Sequence, residues 1–221
     1  FSAQNTVAKN GQVASICEFS SQDYSIENTY ICDLSALGLI RATGEEAQSF
    51  LHGQFTNDLN NVSPSNSQLS SYCNTKGRML SIFQIYMHDA DYYLILPRDV
   101  LETTIKKLAM FKLMAKVDLT DESDQFVIFG VAGPDTESAL NDLNITVPSE
   151  INHCIQLNKM TVIRLPSENT RVLFITDTDT AILFWEQMSA KLTIATSHLW
   201  NLHNILSGIP QITANISEAF I

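Results

Sequence analysis

Basic residues are scarce in this sequence: 13 Lys and Arg stand against 24 Asp and Glu, a formal net charge of −11. A chain of that sign repels phosphate backbones, so direct docking on nucleic acid or on an anionic membrane is not expected. The densest basic run, Lys106, Lys107, Lys112 and Lys116, is spread around a predicted helix and reads as a solvated face. No apolar stretch approaches the ~20 residues that span a bilayer. The opening residues, from Phe1, carry no signal-peptide pattern, and a trimmed beginning is compatible with them. The four cysteines, Cys17, Cys32, Cys73 and Cys154, form no C-x-x-C pair. That argues against a zinc knuckle and against a dense disulfide framework. Reduced thiols in a cytoplasmic setting are the expectation. The five histidines do not build a metal set: His198 and His203 are five apart on a predicted helix and point in different directions. His153 beside Cys154 is a single pair, where zinc takes three or four ligands. No metal site is expected.

What is present is an ordinary globular balance, 45% hydrophobic and 17% charged, enough to bury a core. Residues 1–28 are polar and read as a loop or tail with one strand. Tyr30–Leu34 and Leu37–Ala42 read as strands around a turn near Ser35. Thr43 with Glu46 has the spacing of a capping box, ahead of a short helix ending at Gly53 in a left-handed cap. A loop over 60–67 leads to a strand at Leu69–Cys73, a turn at Asn74–Gly77 and an alternating strand Met79–Met87. The turn His88–Asp91 returns the chain through Tyr92–Leu96. Asp99 and Glu102 suggest a second capping box, for a helix carrying Leu101, Ile105 and Leu108. Lys116–Leu119 reads as a short strand, and Phe126–Val131, continuously apolar, as a strand buried on both faces. Gly133-Pro134 opens a helix to about Asp142. Met160–Leu165 and Arg171–Thr176 read as hairpin arms. A helix from about Asp179 presents Ala181, Phe184, Trp185 and Met188; another, capped by Ser197, presents Leu199, Leu202 and Leu206 and stops at Gly208. Hairpins mixed with helices favour an α+β fold with antiparallel sheets over a doubly wound one.

Four blocks in order carry a resemblance. Gly44–Leu59 reads G-E-E-A-Q-S-F-L-H-G-Q-F-T-N-D-L and Tyr72–Arg78 reads Y-C-N-T-K-G-R. Gly130–Pro134 reads G-V-A-G-P, and the helix from Trp200 ends in S-G-I-P at Pro210. Over roughly residues 30–221 the chain resembles the YgfZ-type folate-binding proteins, relatives of the glycine-cleavage T-protein. The resemblance implies the aminomethyltransferase folate-binding fold, with a first domain made of 1–53 plus 120–221 and an inserted second domain at 54–119. The terminal β-barrel of such proteins is absent from these residues. It implies a folate site to which Gln54, Thr56, Asn57, Asp58, Lys76, Arg78 and Trp200 are candidates, with tetrahydrofolate as the ligand. Thr, Asn and Asp at 56–58 equally suit the capping of the next turn. Lys76 and Arg78 suit the carboxylates of a folate tail or a solvated turn. Trp200 suits a stacked ring or plain core.

Three departures from that pattern bear on function. T-proteins carry a carboxylate pair shortly after the position of Lys76-Gly77; here Leu80 and Ser81 stand there. A hydroxyl needs a neighbouring base before it can accept a proton, so no catalytic residue is assigned. The family's pterin-recognising Glu is matched by Leu206, expected to be buried, which supplies no acceptor. The K-G-C-x-x-G-Q-E segment tied to iron–sulfur maintenance is expected beyond Ile221, and none of the four cysteines matches it. The expected function is that of a non-catalytic folate-binding-type accessory protein supporting iron–sulfur enzymes, including those that modify tRNA, with protein partners. The alternatives are a tetrahydrofolate-dependent aminomethyltransferase-like enzyme and a protein-binding scaffold that has lost the folate site.

Overall fold

The computed structural model describes residues 26–221 together with two strands, β1 (Thr6–Lys9) and β2 (Gln12–Ser15). The chain continues through β3 (Tyr30–Asp33), β4 (Leu37–Thr43), α1 (Ala47–His52), a 3-10 turn (Leu59–Asn61), β5 (Gln68–Cys73), β6 (Met79–His88), β7 (Asp91–Pro97), α2 (Arg98–Lys112) and β8 (Asp118–Asp121). There follow β9 (Val127–Ala132), α3 (Thr136–Asn141), β10 (Cys154–Leu157), β11 (Met160–Arg164), β12 (Arg171–Thr176), α4 (Thr178–Ser189), β13 (Thr193–Ala195) and α5 (Ser197–Leu206). The fold is α+β with mainly antiparallel sheets, and no sheet closes into a barrel among the described residues. Where one strand was expected near the start, β1 and β2 pair as a hairpin; Cys17 lies outside the described residues.

Two compact units form: Phe1–Ser35 with Phe126–Ile209, and Ala36–Gln125 with Pro210–Ile221. The expected division at 54 and 119 differs from this one, for a reason visible in strand pairing. β4 is hydrogen-bonded on both sides within the second sheet, to β7 and to β8, so residues from 36 onward go with that sheet. β3, only a turn earlier, pairs with β9 and β13 in the first.

The first unit's sheet has the order β10-β11-β12-β9-β3-β13, antiparallel except for the last pair. Its central strands, β9 and the Val172–Ile175 stretch of β12, are apolar because both faces are covered. One face packs Ile31, Phe129, Val131, Val172 and Phe174 against Phe184, Trp185 and Met188 of α4 and Leu140 of α3. The Phe129 and Phe174 rings stack at 4.9 Å. Helix α4 buries Ala181, Phe184, Trp185 and Met188, the set its sequence periodicity marks. Its N-cap is Asp177, whose carboxylate accepts the Thr180 N–H at 3.1 Å.

The second unit's sheet runs β5-β6-β7-β4-β8, antiparallel throughout. The β6–β7 turn places Asp89 and Ala90 at φ 48° and 69°, the double left-handed geometry of a two-residue hairpin loop. Val100, Leu101, Thr104 and Leu108 of α2 are buried, and Leu101 fits because Gly38 has no side chain: a Cβ there would lie 2.4 Å from it. β6 was expected to alternate; most of it is buried on both faces instead.

The expected caps are not the observed ones. Thr43 ends β4 and Glu46 is the N-cap of α1, its carboxylate accepting the Lys116 N–H rather than a helix amide. Gly53 is right-handed at φ −74°, Pro97 rather than Asp99 sits at the α2 N-cap, and Thr196 rather than Ser197 at that of α5. At Glu46 and Asp99 the carboxylate is claimed by a partner distant in sequence, the N–H groups of Lys116 and Ala214, in place of a helix amide.

Candidate functional site

Six of the seven candidate residues lie in the second unit, around β5 and the turn that leads to β6. The turn is built by Asn74, whose Oδ1 accepts the N–H groups of Lys76 at 2.9 Å and Arg78 at 3.1 Å. Gly77 at φ +76° closes it, a conformation that costs glycine little. Lys76 and Arg78 are exposed. The Arg78 guanidinium donates to the Glu218 carbonyl at 3.0 Å, while the Glu218 carboxylate accepts from Asn74 Nδ2 and from Lys107. The Lys107 contact holds the Glu218 carboxyl below the usual carboxylate value. Residues 217–220 are laced to the start of β6: Met79 N–H donates to Phe220 O, Glu218 N–H to Met79 O, and Ser217 Oγ to Leu80 O.

Thr56 and Asn57 are bound to the free edge of β5. Thr56 N–H donates to Ser71 O at 3.0 Å, Ser71 N–H returns to Thr56 Oγ1 at 3.2 Å, and Asn57 Nδ2 donates to Leu69 O at 2.9 Å. With Ser70, Met79, Ile82 and Pro210 they line a depression of about 200 Å³, below the ~300–1,000 Å³ of small-molecule pockets. Asp58 caps the 3-10 turn, accepting the Asn60 N–H at 2.9 Å, with His52 Nδ1 3.5 Å away. Gln54 is half-buried after α1.

Leu80 and Ser81, at the positions of the T-protein carboxylates, are buried in β6, and Ser81 Oγ has no hydrogen-bond partner. Leu206, expected to be buried, is 63% exposed. The physical reason is the face α5 presents: Leu199, Trp200, His203 and Asn204 are buried, so Leu202 and Leu206 point to solvent.

Trp200 belongs to the first unit and is 3% exposed. It lies on Gly130, where a Cβ would come within 2.2 Å of the indole. The Arg171 guanidinium stacks over the ring, Cζ 3.9 Å from its centre. Arg171 is 0% exposed; Nη2 donates to Asn204 Oδ1 at 2.6 Å and to the Trp200 carbonyl at 3.3 Å. Burial pulls its pKa down to about 10, so it stays charged near neutrality. Burial raises the Tyr30 hydroxyl and the Cys32 thiol well above their ordinary values, and burial together with Arg171 lowers His203. The reading from sequence missed this cluster. Its signals were a cation opening the apolar strand R-V-L-F-I-T, and Trp200 and Asn204 at i, i+4 on one helix.

Among the described residues no three His, Cys, Asp or Glu side chains converge as a metal set, and no helix is long and apolar enough to cross a membrane.

A family model of the GCVT N-terminal domain matches residues 23–179. The chain is 28% identical over 196 residues to the tRNA-modifying protein YgfZ of Colwellia psychrerythraea, covering 89% of this chain and 60% of that protein. It is 30% identical over 206 residues to the protein of the same name from Photorhabdus laumondii, covering 92% and 62%. The chain thus spans about six-tenths of the length of these relatives. Among solved structures it resembles the glycine cleavage system aminomethyltransferase T of Bartonella henselae, with a TM-score of 0.68 at 13% identity, over 76% of this chain and 47% of that one. At that identity the likeness speaks for the fold.

Proposed function

This chain belongs to the GCVT N-terminal domain family, and from that premise we propose that it is a non-catalytic folate-binding-type accessory protein acting in tRNA modification. The tRNA half rests on its relatives, which carry the name of tRNA-modifying proteins. The route is support of the iron–sulfur enzymes that carry out such modification, in the cytoplasm and through protein partners, since a net charge of −11 opposes direct tRNA contact.

The observation that carries the non-catalytic reading is the burial of Leu80 and Ser81. One-carbon transfer needs a group that can hold or accept a proton beside the reacting nitrogen. A leucine cannot, and Ser81 Oγ is sealed in the sheet without a base hydrogen-bonded to it. Turnover of an aminomethyl donor dependent on tetrahydrofolate, and lost in Ser81→Ala, overturns this reading.

The scaffold alternative draws on a different observation, the small depression at Thr56 and Asn57. Both residues spend hydrogen-bonding groups on β5, which leaves fewer for a ligand. Isothermal titration with tetrahydrofolate separates the two readings. Saturable heat weakened in Lys76→Ala or Arg78→Ala supports the folate site, and no heat of binding leaves the scaffold.

A further inference from the structure

The face of the first unit's sheet beneath α5 holds a charge that has no counter-ion among the described residues. Tyr30 and Arg171 are both register partners of Ala132, so the two side chains flank a lone methyl group on one face. Arg171 satisfies only Nη2; its Nε and Nη1 atoms, Tyr30 Oη and His203 Nε2 are buried without hydrogen-bond partners. The Tyr30 and His203 rings are 5.7 Å apart, which puts both orphan groups in one neighbourhood. Among the described residues no carboxylate comes within ion-pair distance of Arg171. A buried charge left uncompensated is among the costlier arrangements a fold can hold, and the Trp200 face and two neutral oxygens offset only part of it.

We propose that this cluster is a binding site for a small monovalent anion of the carboxylate or halide class. The anion rests against the free N–H groups of Arg171, and the Tyr30 hydroxyl and His203 complete its shell. A single negative charge matches the single uncompensated positive one. His203 Nδ1 lies 3.2 Å from Ser167 Oγ; with Ser167 donating, the imidazole carries its proton on Nε2 and becomes a donor toward the anion. Residues 166–170, the partly exposed link between β11 and β12, border the cluster through the Ser167–His203 contact. The site lies in the other unit from six of the seven folate candidates and uses none of the residues around β5; Trp200, the seventh, belongs to it as the ring on which Arg171 stacks.

Trp200 is the reporter, because the guanidinium that would receive the anion stacks on its ring. In a Trp185→Phe background, which leaves Trp200 as the one tryptophan, emission is followed while sodium formate is added at constant ionic strength. A parallel titration uses sodium chloride, and the stronger binder identifies the class. The expected result is a saturable change for at least one anion, accompanied by a rise in Tm. Arg171→Met abolishes it. Tyr30→Phe and His203→Asn keep the charge and weaken binding about tenfold, the worth of one hydrogen bond to an ion. Those two variants decide the matter if Arg171→Met does not fold. A linear, unsaturable response to both anions, or equal affinities in Tyr30→Phe, His203→Asn and the parent, overturns the proposal.

Discussion

Replacing Gly130 by alanine puts a methyl group where the Trp200 indole already lies. The new carbon would sit 2.2 Å from Cζ3 and 2.4 Å from Cη2 of the ring, against a comfortable carbon–carbon separation of ~3.5–4.0 Å. The strand backbone at 130 pairs with Cys32 and Leu173 and is not left-handed, so the substitution meets no conformational obstacle of its own. By itself the loss of glycine would stabilise by ~0.4–1 kcal/mol through the unfolded chain. Overpacking opposes it at ~1–3 kcal/mol, and the depth of the overlap argues for the upper end. Moving the ring also disturbs the stacked guanidinium, worth about another 1 kcal/mol. The net expectation is a loss of about 2–3 kcal/mol, or roughly 4–12 °C in Tm for a chain of this size. Urea unfolding followed by far-UV circular dichroism measures it. The decisive arm is the double variant. Trp200→Ala alone should cost ~3–5 kcal/mol, yet Gly130→Ala added to it should cost nothing further, a coupling of at least about 1 kcal/mol. A Gly130→Ala protein within ~0.5 kcal/mol of the parent, or two penalties that simply add, would refute the packing argument.

Three other outcomes are expected. Leu108→Ala, which empties a fully buried position under α2, should lower stability by ~2–5 kcal/mol in the same urea assay. Lys76→Ala, at an exposed turn position, should stay within ~0.5 kcal/mol of the parent, so any change it makes in ligand affinity is local. His203 resists protonation when folded, through burial and the neighbouring Arg171. The unfolded chain therefore binds the proton more readily, and stability that is full above the ordinary histidine value of ~6.5 declines as pH falls below it. His203→Asn should flatten that decline in urea midpoints measured from pH 7.5 to 5, and an unchanged slope would assign the effect to other groups.

The elements themselves were legible wherever burial imposed a period. The 3.6-residue spacing of Ala181, Phe184, Trp185 and Met188 marks the buried face of α4, and the continuous run before Gly133 marks a strand covered on both sides. The turn before Arg78 was legible too, because its geometry is set by Asn74 and Gly77 inside the turn. Capping boxes were misleading. Spacing identifies an oxygen that could reach a helix amide, and only the fold says that Lys116 N–H is the nearer claimant on Glu46.

What the sequence by itself determined is therefore the local alphabet: which segments are strands or helices, the mixed antiparallel class, and the family. The tertiary structure alone decided which strands share a sheet, sending β3 and β4 to different units although a turn separates them. It also decided which face of α5 is covered, exposing Leu206 and burying Trp200 and Asn204 around Arg171. The reason is physical. Periodicity reports that a side of a helix is apolar, but α5 carries apolar residues on more than one side. The choice among them was made by Gly130 and Arg171, far away in sequence, one offering space for an indole and the other a charge to cover.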